Sequence, residues 1–425
     1  MDYSQEQIAV VGLGYVGLPL AVSFSKKRKT IAFDINKKRV GDLQEGIDKT
    51  LEIESKELIG NKNLSFTSEE KDLIDCRIFI ITVPTPIDSL NKPDLRPLIS
   101  ATSTVGKYIK KDSLVVYEST VYPGATEEVC VPILEEVSNL TYNSDFFCGY
   151  SPERVNPGDK NRSLSSITKI VSGSNSEITS VVDNIYSSII EAGTFKVSSI
   201  KIAEAAKVIE NTQRDLNIAL INELSMLFNK MGLNTNEVLE AAQTKWNFVP
   251  FRPGLVGGHC IGVDPYYLTY KAEQIGFKTD LILAGRKIND YMAKFVVDEI
   301  EKKLLKNSIN IEDSEILILG FTFKENSRDI RNTKVAEIVE LLASKKVKTK
   351  IYDPWVDTDE AKDLYKIDCL KTFPHSGSYS AVIIAVAHEE FKQLQIDKVR
   401  KLLVNKGIIY DIKSIFSKDE VDGAL

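Results

Sequence analysis

Residues 8–17 read IAVVGLGYVG, a short apolar run followed at once by Gly12, Gly14 and Gly17. Each glycine at that spacing has a physical task. Gly12 permits a tight turn, Gly14 lets backbone approach a pyrophosphate, and Gly17 lets the following helix pack close to the strand. The helix, expected over Leu18–Lys26, turns its positive end towards the phosphates. The next apolar run, Thr30–Phe33, ends on Asp34. A carboxylate there accepts hydrogen bonds from adenosine ribose hydroxyls and repels a 2′-phosphate. The reading is a dinucleotide turn for NAD rather than NADP. Lys37, Lys38 and Arg39 just beyond it weigh the other way.

Outward from this turn, Arg77–Val83, Ser113–Tyr117, Phe146–Tyr150 and Thr168–Ser172 are apolar runs of strand length. The first three run into PTPID, ESTVYPG and SPERVNPG. Such runs, alternating with helical patterns, predict a mostly parallel sheet buried on both faces. In sheets of this kind, ligands sit at the C-terminal ends of the strands. From Ile200 to Gly232 neither Gly nor Pro interrupts a helical pattern. Ile202, Ile209, Leu216 and Leu220 share one face of it. Lys207, Asn211 and Arg214 share the opposite face, and a solvated stripe is the ordinary reading of that set. Asparagine is a poor choice for an exposed helix interior, so a functional face is the alternative.

A third section starts near Ser314. Strands are expected over Ile316–Leu319, Lys348–Tyr352, Ala381–Val386 and Gly407–Tyr410, with a helix over Lys334–Ala343. It lacks the glycine fingerprint, so no second dinucleotide is expected there. The fold class is therefore α/β: two doubly wound, Rossmann-like domains joined by a long central helix. The expected divisions are 1–198, 199–300 and 301–425.

The totals agree. A chain of 425 residues with 43% hydrophobic content can bury two or three cores. A net charge of -6 argues against bulk nucleic-acid binding. Cys76, Cys130, Cys148, Cys260 and Cys369 show neither a disulfide framework nor a zinc spacing, and three histidines make no metal cluster. With neither a signal peptide nor a membrane-spanning run, a reducing compartment, most simply the cytoplasm, is expected.

The stretch Phe251–Asp264 reads FRPGLVGGHCIGVD. Cys260 follows Gly257-Gly258, and Asp264 lies four residues on. A thiol there is either a covalent nucleophile or a buried cysteine beside a tight turn.

Seven segments together resemble the UDP-glucose/GDP-mannose dehydrogenase family. They are VVGLGYVGLPLA (10–21), PTP (84–86), ESTVYPG (118–124), SPERVNPG (151–158), AKVIENTQRDLNIALINEL (206–224), FRPGLVGGHCIGVDPYYL (251–268) and GFTFKENSRDIRNTK (320–334). The resemblance implies NAD-dependent four-electron oxidation of a nucleotide-sugar C6 alcohol to a carboxylate. Residues 1–198 would bind NAD, 199–300 would carry dimerisation and the reactive loop, and 301–425 would bind the UDP-sugar. Cys260 would add to the C6 aldehyde, giving a thiohemiacetal and then a thioester. Lys207 and Asn211 would stabilise oxyanion character at C6. Asp264 would position water and help manage the thiol proton. Glu153 would serve thioester hydrolysis and line the substrate site, and Thr120 would orient water.

Gly12, Gly14, Tyr15, Val16, Gly17, Asp34, Arg39, Thr85, Thr120 and Arg331 are the implied cofactor residues. On the substrate side the resemblance implies Glu153, Arg154, Lys207, Asn211, Arg214, Arg252, Gly257 and Lys324. Lys324 would hold the diphosphate, and Arg252 would reach the substrate of a second subunit, which implies a homodimer or a multiple of it. The two glycines would let the C6 end lie against backbone. No metal, nucleic acid or membrane enters the scheme.

The wording of the helix and of the Gly-Gly-His-Cys loop resembles the UDP-N-acetylhexosamine 6-dehydrogenase branch. That branch implies UDP-GlcNAc or UDP-GalNAc as substrate, for capsule or O-antigen assembly. UDP-ManNAc and UDP-glucose are the alternatives. Arg214 would contact the N-acetyl group, and His259 marks the branch. Two readings of another class are a two-electron hydroxyacid-type dehydrogenase and a non-enzymatic NAD sensor. Neither needs Cys260.

Overall fold

The computed structural model describes residues 3–155, 162–375 and 377–425. The last three residues of the SPERVNPG segment therefore lie outside the described residues. The chain divides into two compact units, Met1–Glu210 with Tyr266–Lys278, and Asn211–Pro265 with Thr279–Leu425.

The first unit is built on eight strands: β1 (Ile8–Val11), β2 (Thr30–Phe33), β3 (Leu64–Thr67), β4 (Ile78–Ile81), β5 (Ser113–Tyr117), β6 (Phe146–Tyr150), β7 (Lys169–Gly173) and β8 (Thr194–Lys196). Their order is β3-β2-β1-β4-β5-β6-β7-β8. β1 pairs in parallel with β2 (Ile8 opposite Thr30) and with β4 (Ile8 opposite Ile78). The order thus reverses between β1 and β4, which opens a crevice at their C-terminal ends. β7 runs antiparallel to β6, the one departure from parallel pairing among the described strands. Every residue of β1, β4 and β5 is buried, as continuous apolar runs require when helices cover both faces. One face meets the helix Gly17–Ser25 through Leu18, Ala21 and Val22, and the helix Ser176–Ser187 through Ile178, Val182 and Ile185.

The second unit carries β9 (Glu315–Leu319), β10 (Lys348–Tyr352), β11 (Cys369–Leu370), β12 (Tyr379–Ile384), β13 (Leu403–Asp411) and β14 (Gly423–Ala424) in the order β11-β10-β9-β12-β13-β14. Alternation splits β9 between two cores. Ile316 and Ile318 pack with Met292, Val296 and Ile300 of the helix Asp280–Lys306, while Leu317 and Leu319 pack with Phe391 and Ile409. The first turn repeats the device of the other unit. Gly320 after β9 and Gly12 after β1 both take φ +98°. Asp353 after β10 accepts N–H bonds from Phe321 (2.6 Å) and Thr322 (3.0 Å), much as Asp34 after β2 accepts one from Leu13 (2.8 Å).

The central helix is Ile200–Met231, ended by Gly232 at φ +72°. Its polarity reverses the expectation. Ile202, Ile209 and Leu220 are 47%, 54% and 54% exposed, whereas Lys207 and Asn211 are buried. Periodicity identified the two faces but not which one packs within the chain. Arg214, expected on the Lys207 face, is exposed. Among the described residues no helix is long and apolar enough to cross a membrane.

Candidate active site

The glycine turn has the shape of a phosphate cradle. A side chain at Gly17 would lie 1.8 Å from the Gly12 carbonyl oxygen, so only glycine lets the helix start there. At Gly14 a Cβ would meet nothing within 4 Å, so the open side of the turn is free for a ligand. The helix begins after Tyr15 and Val16 with no side-chain cap and no acid in its first turn. Leu18 N–H turns back to the Gly14 carbonyl (3.3 Å), and the positive end of the helix favours an anion beside the turn. Asp34 stands beside the turn, its carboxylate fixed by N–H bonds from Leu13 and Asn36, both 2.8 Å. These features fit a dinucleotide. Arg39 braces the same turn, donating from Nε to the Leu13 carbonyl (3.0 Å) and pairing with Asp48 (2.8 Å). Two of its nitrogens thus face protein, which holds the expected cofactor residue beside the turn.

At the ends of β4 and β5 the PTP and EST loops are tied together. Thr85 Oγ1 donates to the Thr120 carbonyl (2.7 Å), Ser119 Oγ to the Val83 carbonyl (2.7 Å), and Tyr267 Oη to the Thr85 carbonyl (2.8 Å). Glu204 of the central helix is fully buried and accepts N–H bonds from Gly124 and Thr126. It thereby fixes the far end of the ESTVYPG loop. Burial pushes its carboxyl up to about 7, against the pull of those donors.

Glu153 lies just past β6. Its Oε1 accepts the N–H groups of Arg154 and Val155, both 2.6 Å, and its Oε2 faces Lys169 Nζ at 3.4 Å. Burial works against its charge. Lys169, the two N–H donors and Lys207 together outweigh burial and hold the carboxyl below its ordinary range. Lys169 opens β7 and also pairs with Glu118 at 2.6 Å, while Glu118 accepts the Tyr186 hydroxyl. This buried network was not legible in the sequence. Glu118 lies within ESTVYPG with no role implied for it, and Lys169 reads as part of a strand. A lysine inside a run expected to be buried was the available signal. Arg154, expected on the substrate side, pairs with Glu210 (2.8 Å) and donates to the Thr168 carbonyl (2.8 Å).

In the second unit, Asp264 opens the helix Asp264–Gln274 and is buried. Its Oδ2 accepts from Asn211 Nδ2 at 2.6 Å, which joins two of the expected residues. The Asp264 N–H donates to the Cys260 carbonyl (2.9 Å), so the cysteine leads directly into that helix. Cys260 is exposed, whereas Cys76, Cys130 and Cys148 are buried and Cys369 partly so. His259 beside it is held down at about 4 by burial and by the charge of Arg331, so it is neutral at physiological pH. Arg331 forms a two-point pair with Asp329, at 2.8 and 2.6 Å.

The glycine pair also has a packing explanation. A Cβ on Gly257 would lie 2.7 Å from the Asn332 carbonyl oxygen, and one on Gly258, at φ +80°, 2.8 Å from the Phe323 ring. The two glycines admit the 323–332 loop, a packing reason for glycine that stands beside the expected one. Upstream, Asn222 clamps Gly254 through both its N–H (2.8 Å) and its carbonyl (3.0 Å). Behind Asn222, Asn289, Asp215 and Arg286 continue a buried hydrogen-bonded ladder. Arg252 is exposed. Lys324 lies in the loop after β9. A cleft of about 340 Å³, open to solvent, lies at the ends of β9 and β12 and is lined by Gly257, Phe323, Lys334 and Lys413.

Comparison with known proteins places this geometry. Three models of the UDP-glucose/GDP-mannose dehydrogenase family match in order: the NAD binding domain over residues 6–190, the central domain over 201–291 and the UDP binding domain over 317–418. The UDP-N-acetyl-D-glucosamine 6-dehydrogenase of Pseudomonas aeruginosa is 56% identical over 98% of both chains. That of Salmonella typhi is 53% identical over the same shares. The structure of UDP-D-ManNAc dehydrogenase from Pyrococcus horikoshii superposes with a TM-score of 0.87 at 32% identity, covering 97% of this chain and 96% of the other. With three successive domain models and relatives of matching length, the chain belongs to the UDP-glucose/GDP-mannose dehydrogenase family.

Proposed function

We propose that the protein oxidises the C6 alcohol of UDP-N-acetylglucosamine to the uronic acid, at the expense of two NAD. The observation that carries this reading is the 56% identity, over 98% of both chains, to a relative named for that activity. Of the two sugars expected from the sequence, the names of both close relatives favour UDP-GlcNAc over UDP-GalNAc. NAD, held by Gly12, Gly14, Gly17 and Asp34, supplies the hydride acceptor for each oxidation.

The chain's own residues do the rest. Lys207 and Asn211 stabilise the oxyanion that develops at C6. Cys260 adds to the C6 aldehyde, because an aldehyde has no good hydride to give until a nucleophile has added. It holds the carbon first as a thiohemiacetal and, one oxidation level up, as a thioester. In hydrolysis the water oxygen bonds to the acyl carbon and the carbon–sulfur bond breaks. One water proton passes to Glu153 and on to the sulfur, and the other is released as the acid ionises. Thr120 and Asp264 orient the water, with Asp264 itself held by Asn211. The fixed, ionised state of Glu153 supports its part as the base.

Residues 1–198 carry the cofactor, 199–300 the reactive loop and the dimer contact, and 301–425 the UDP moiety with Lys324. The exposed apolar residues of the central helix, joined by Leu227 (49%) and Met231 (60%), support a homodimer. Arg252 then acts on the partner subunit's substrate. The enzyme works in the cytoplasm, where UDP-sugars for capsule or O-antigen are made. The test is an NADH-release screen with UDP-Glc, UDP-GlcNAc, UDP-GalNAc and UDP-ManNAc. Two NADH per UDP-GlcNAc are expected; one per sugar would overturn the four-electron reading, and a faster sugar would replace the substrate.

A further inference from the structure

Between the ends of β5, β6 and β7, two carboxylates share one lysine. We propose that Lys169 and Glu118 are positioning residues that set the charge and aim of Glu153, with Glu118 serving as the member of the pair that gives way to a proton. The inference rests on Glu153 acting as base in the reading above.

The charge count drives the argument. Lys169, with a side chain 3% exposed, faces Glu118 at 2.6 Å and Glu153 at 3.4 Å. With these three groups ionised, two carboxylates share one lysine; Lys207 acts on Glu153 as a second cation, so the poorly compensated buried charge falls on Glu118. One proton on either carboxyl relieves it. The geometry decides which carboxyl receives it. Glu153 is held by two backbone N–H donors at 2.6 Å and also feels Lys207. Among the described residues the Glu118 carboxyl meets no backbone donor, only Lys169 and the Tyr186 hydroxyl, and that hydroxyl is able to accept as well as donate. Burial pushes Glu118 up to about 7, with Lys169 pulling down and Glu153 adding to the rise. Lys169 itself stays charged because the two carboxylates outweigh its burial. The nearby Arg154 guanidinium is taken up by Glu210. Glu118 therefore absorbs the titration near neutrality that would otherwise fall on the base.

The experiment follows turnover against pH at saturating NAD and UDP-GlcNAc, with melting temperature and NAD affinity recorded for each variant. Glu118→Gln leaves Lys169 wholly to Glu153 and should move the acid limb to lower pH. Lys169→Met removes the shared cation and should move it to higher pH, by about one unit or more for a close buried pair. Lys169→Arg should restore most of the wild-type profile. A general packing defect has no reason to move the limb in opposite directions. Shifts of the same sign, or none, would overturn the proposal. If Lys169→Met does not fold, the direction of the Glu118→Gln shift decides.

A second arm needs no substrate. Difference infrared spectra should show two protonated-carboxyl bands titrating near neutrality, from Glu118 and Glu204. Glu118→Gln should remove one, and Glu153→Gln should remove neither. Persistence of both bands in Glu118→Gln would sink the proposal even if the sugar assignment stands. Loss of one band together with no turnover of UDP-GlcNAc would overturn the sugar assignment alone.

Discussion

Two glycines of one turn do different physical work, and substitution separates them. Gly14 faces open space, so Gly14→Ala should leave the melting temperature within a degree or two while NAD affinity falls at least tenfold. A Cβ on Gly17 would lie 1.8 Å from the Gly12 carbonyl oxygen, so Gly17→Ala should lower stability by several kcal/mol, on the order of other severe overpacking, and is read by denaturant melts. Equal effects on folding from the two would contradict the division. Cys260→Ser should cut acid formation by about 1,000-fold or more, since an alkoxide at neutral pH is far scarcer than a thiolate. Near-normal acid production would remove the covalent role. At this scale the sequence was most legible where backbone geometry demands one residue type, as at Gly12 and Gly17. It was least legible where a charge is neutralised by a partner far along the chain. Lys169 and Glu118 are separated by 51 residues, and no local pattern announces their pair.

The central helix shows what periodicity can and cannot give. Its start, its end at Gly232 and its two faces were readable from the absence of Gly and Pro and from spacing. Which face packs within the chain was not, because that depends on what lies against it. Lys207 and Asn211 are buried, and the isoleucine face is open. The same helix carries Glu204, whose carboxylate fastens the ESTVYPG loop by two N–H bonds. Its folded pKa, about 7, lies above the unfolded carboxylate value, so the folded state holds the extra proton. The contribution is therefore greatest at low pH and is lost as pH rises from about 4.5 to about 7. Glu204→Gln should flatten the pH dependence of the melting temperature across that window. It should also cost about 1–3 kcal/mol, because an amide accepts through one oxygen only and leaves one loop N–H unpaired. An unchanged pH profile would show that Glu204 does not titrate there.

For the molecule as a whole, the apolar residues left open on the central helix call for a cover. Replacing Leu220 and Leu227, both about half exposed, with glutamate should convert a dimer to a monomer in sedimentation analysis while preserving the monomer's fold. A wild-type protein that sediments as a monomer at micromolar concentration would set that reading aside. Two doubly wound units were legible from strand runs and turn residues, whereas β8, β11 and β14, of three, two and two residues, were too short to carry a pattern. The distribution of cysteines over the molecule has a practical consequence. Cys76 and Cys130 are pushed up to about 11 and about 12 by burial, Cys369 to about 12, and Cys148 well above the ordinary thiol range, so they resist thiol reagents. Cys260 alone is exposed among them. The native enzyme should thus take up a single equivalent of maleimide, measurable by mass spectrometry. The same exposure makes Cys260 the thiol that peroxide would meet first, so mild oxidation before labelling should abolish that uptake.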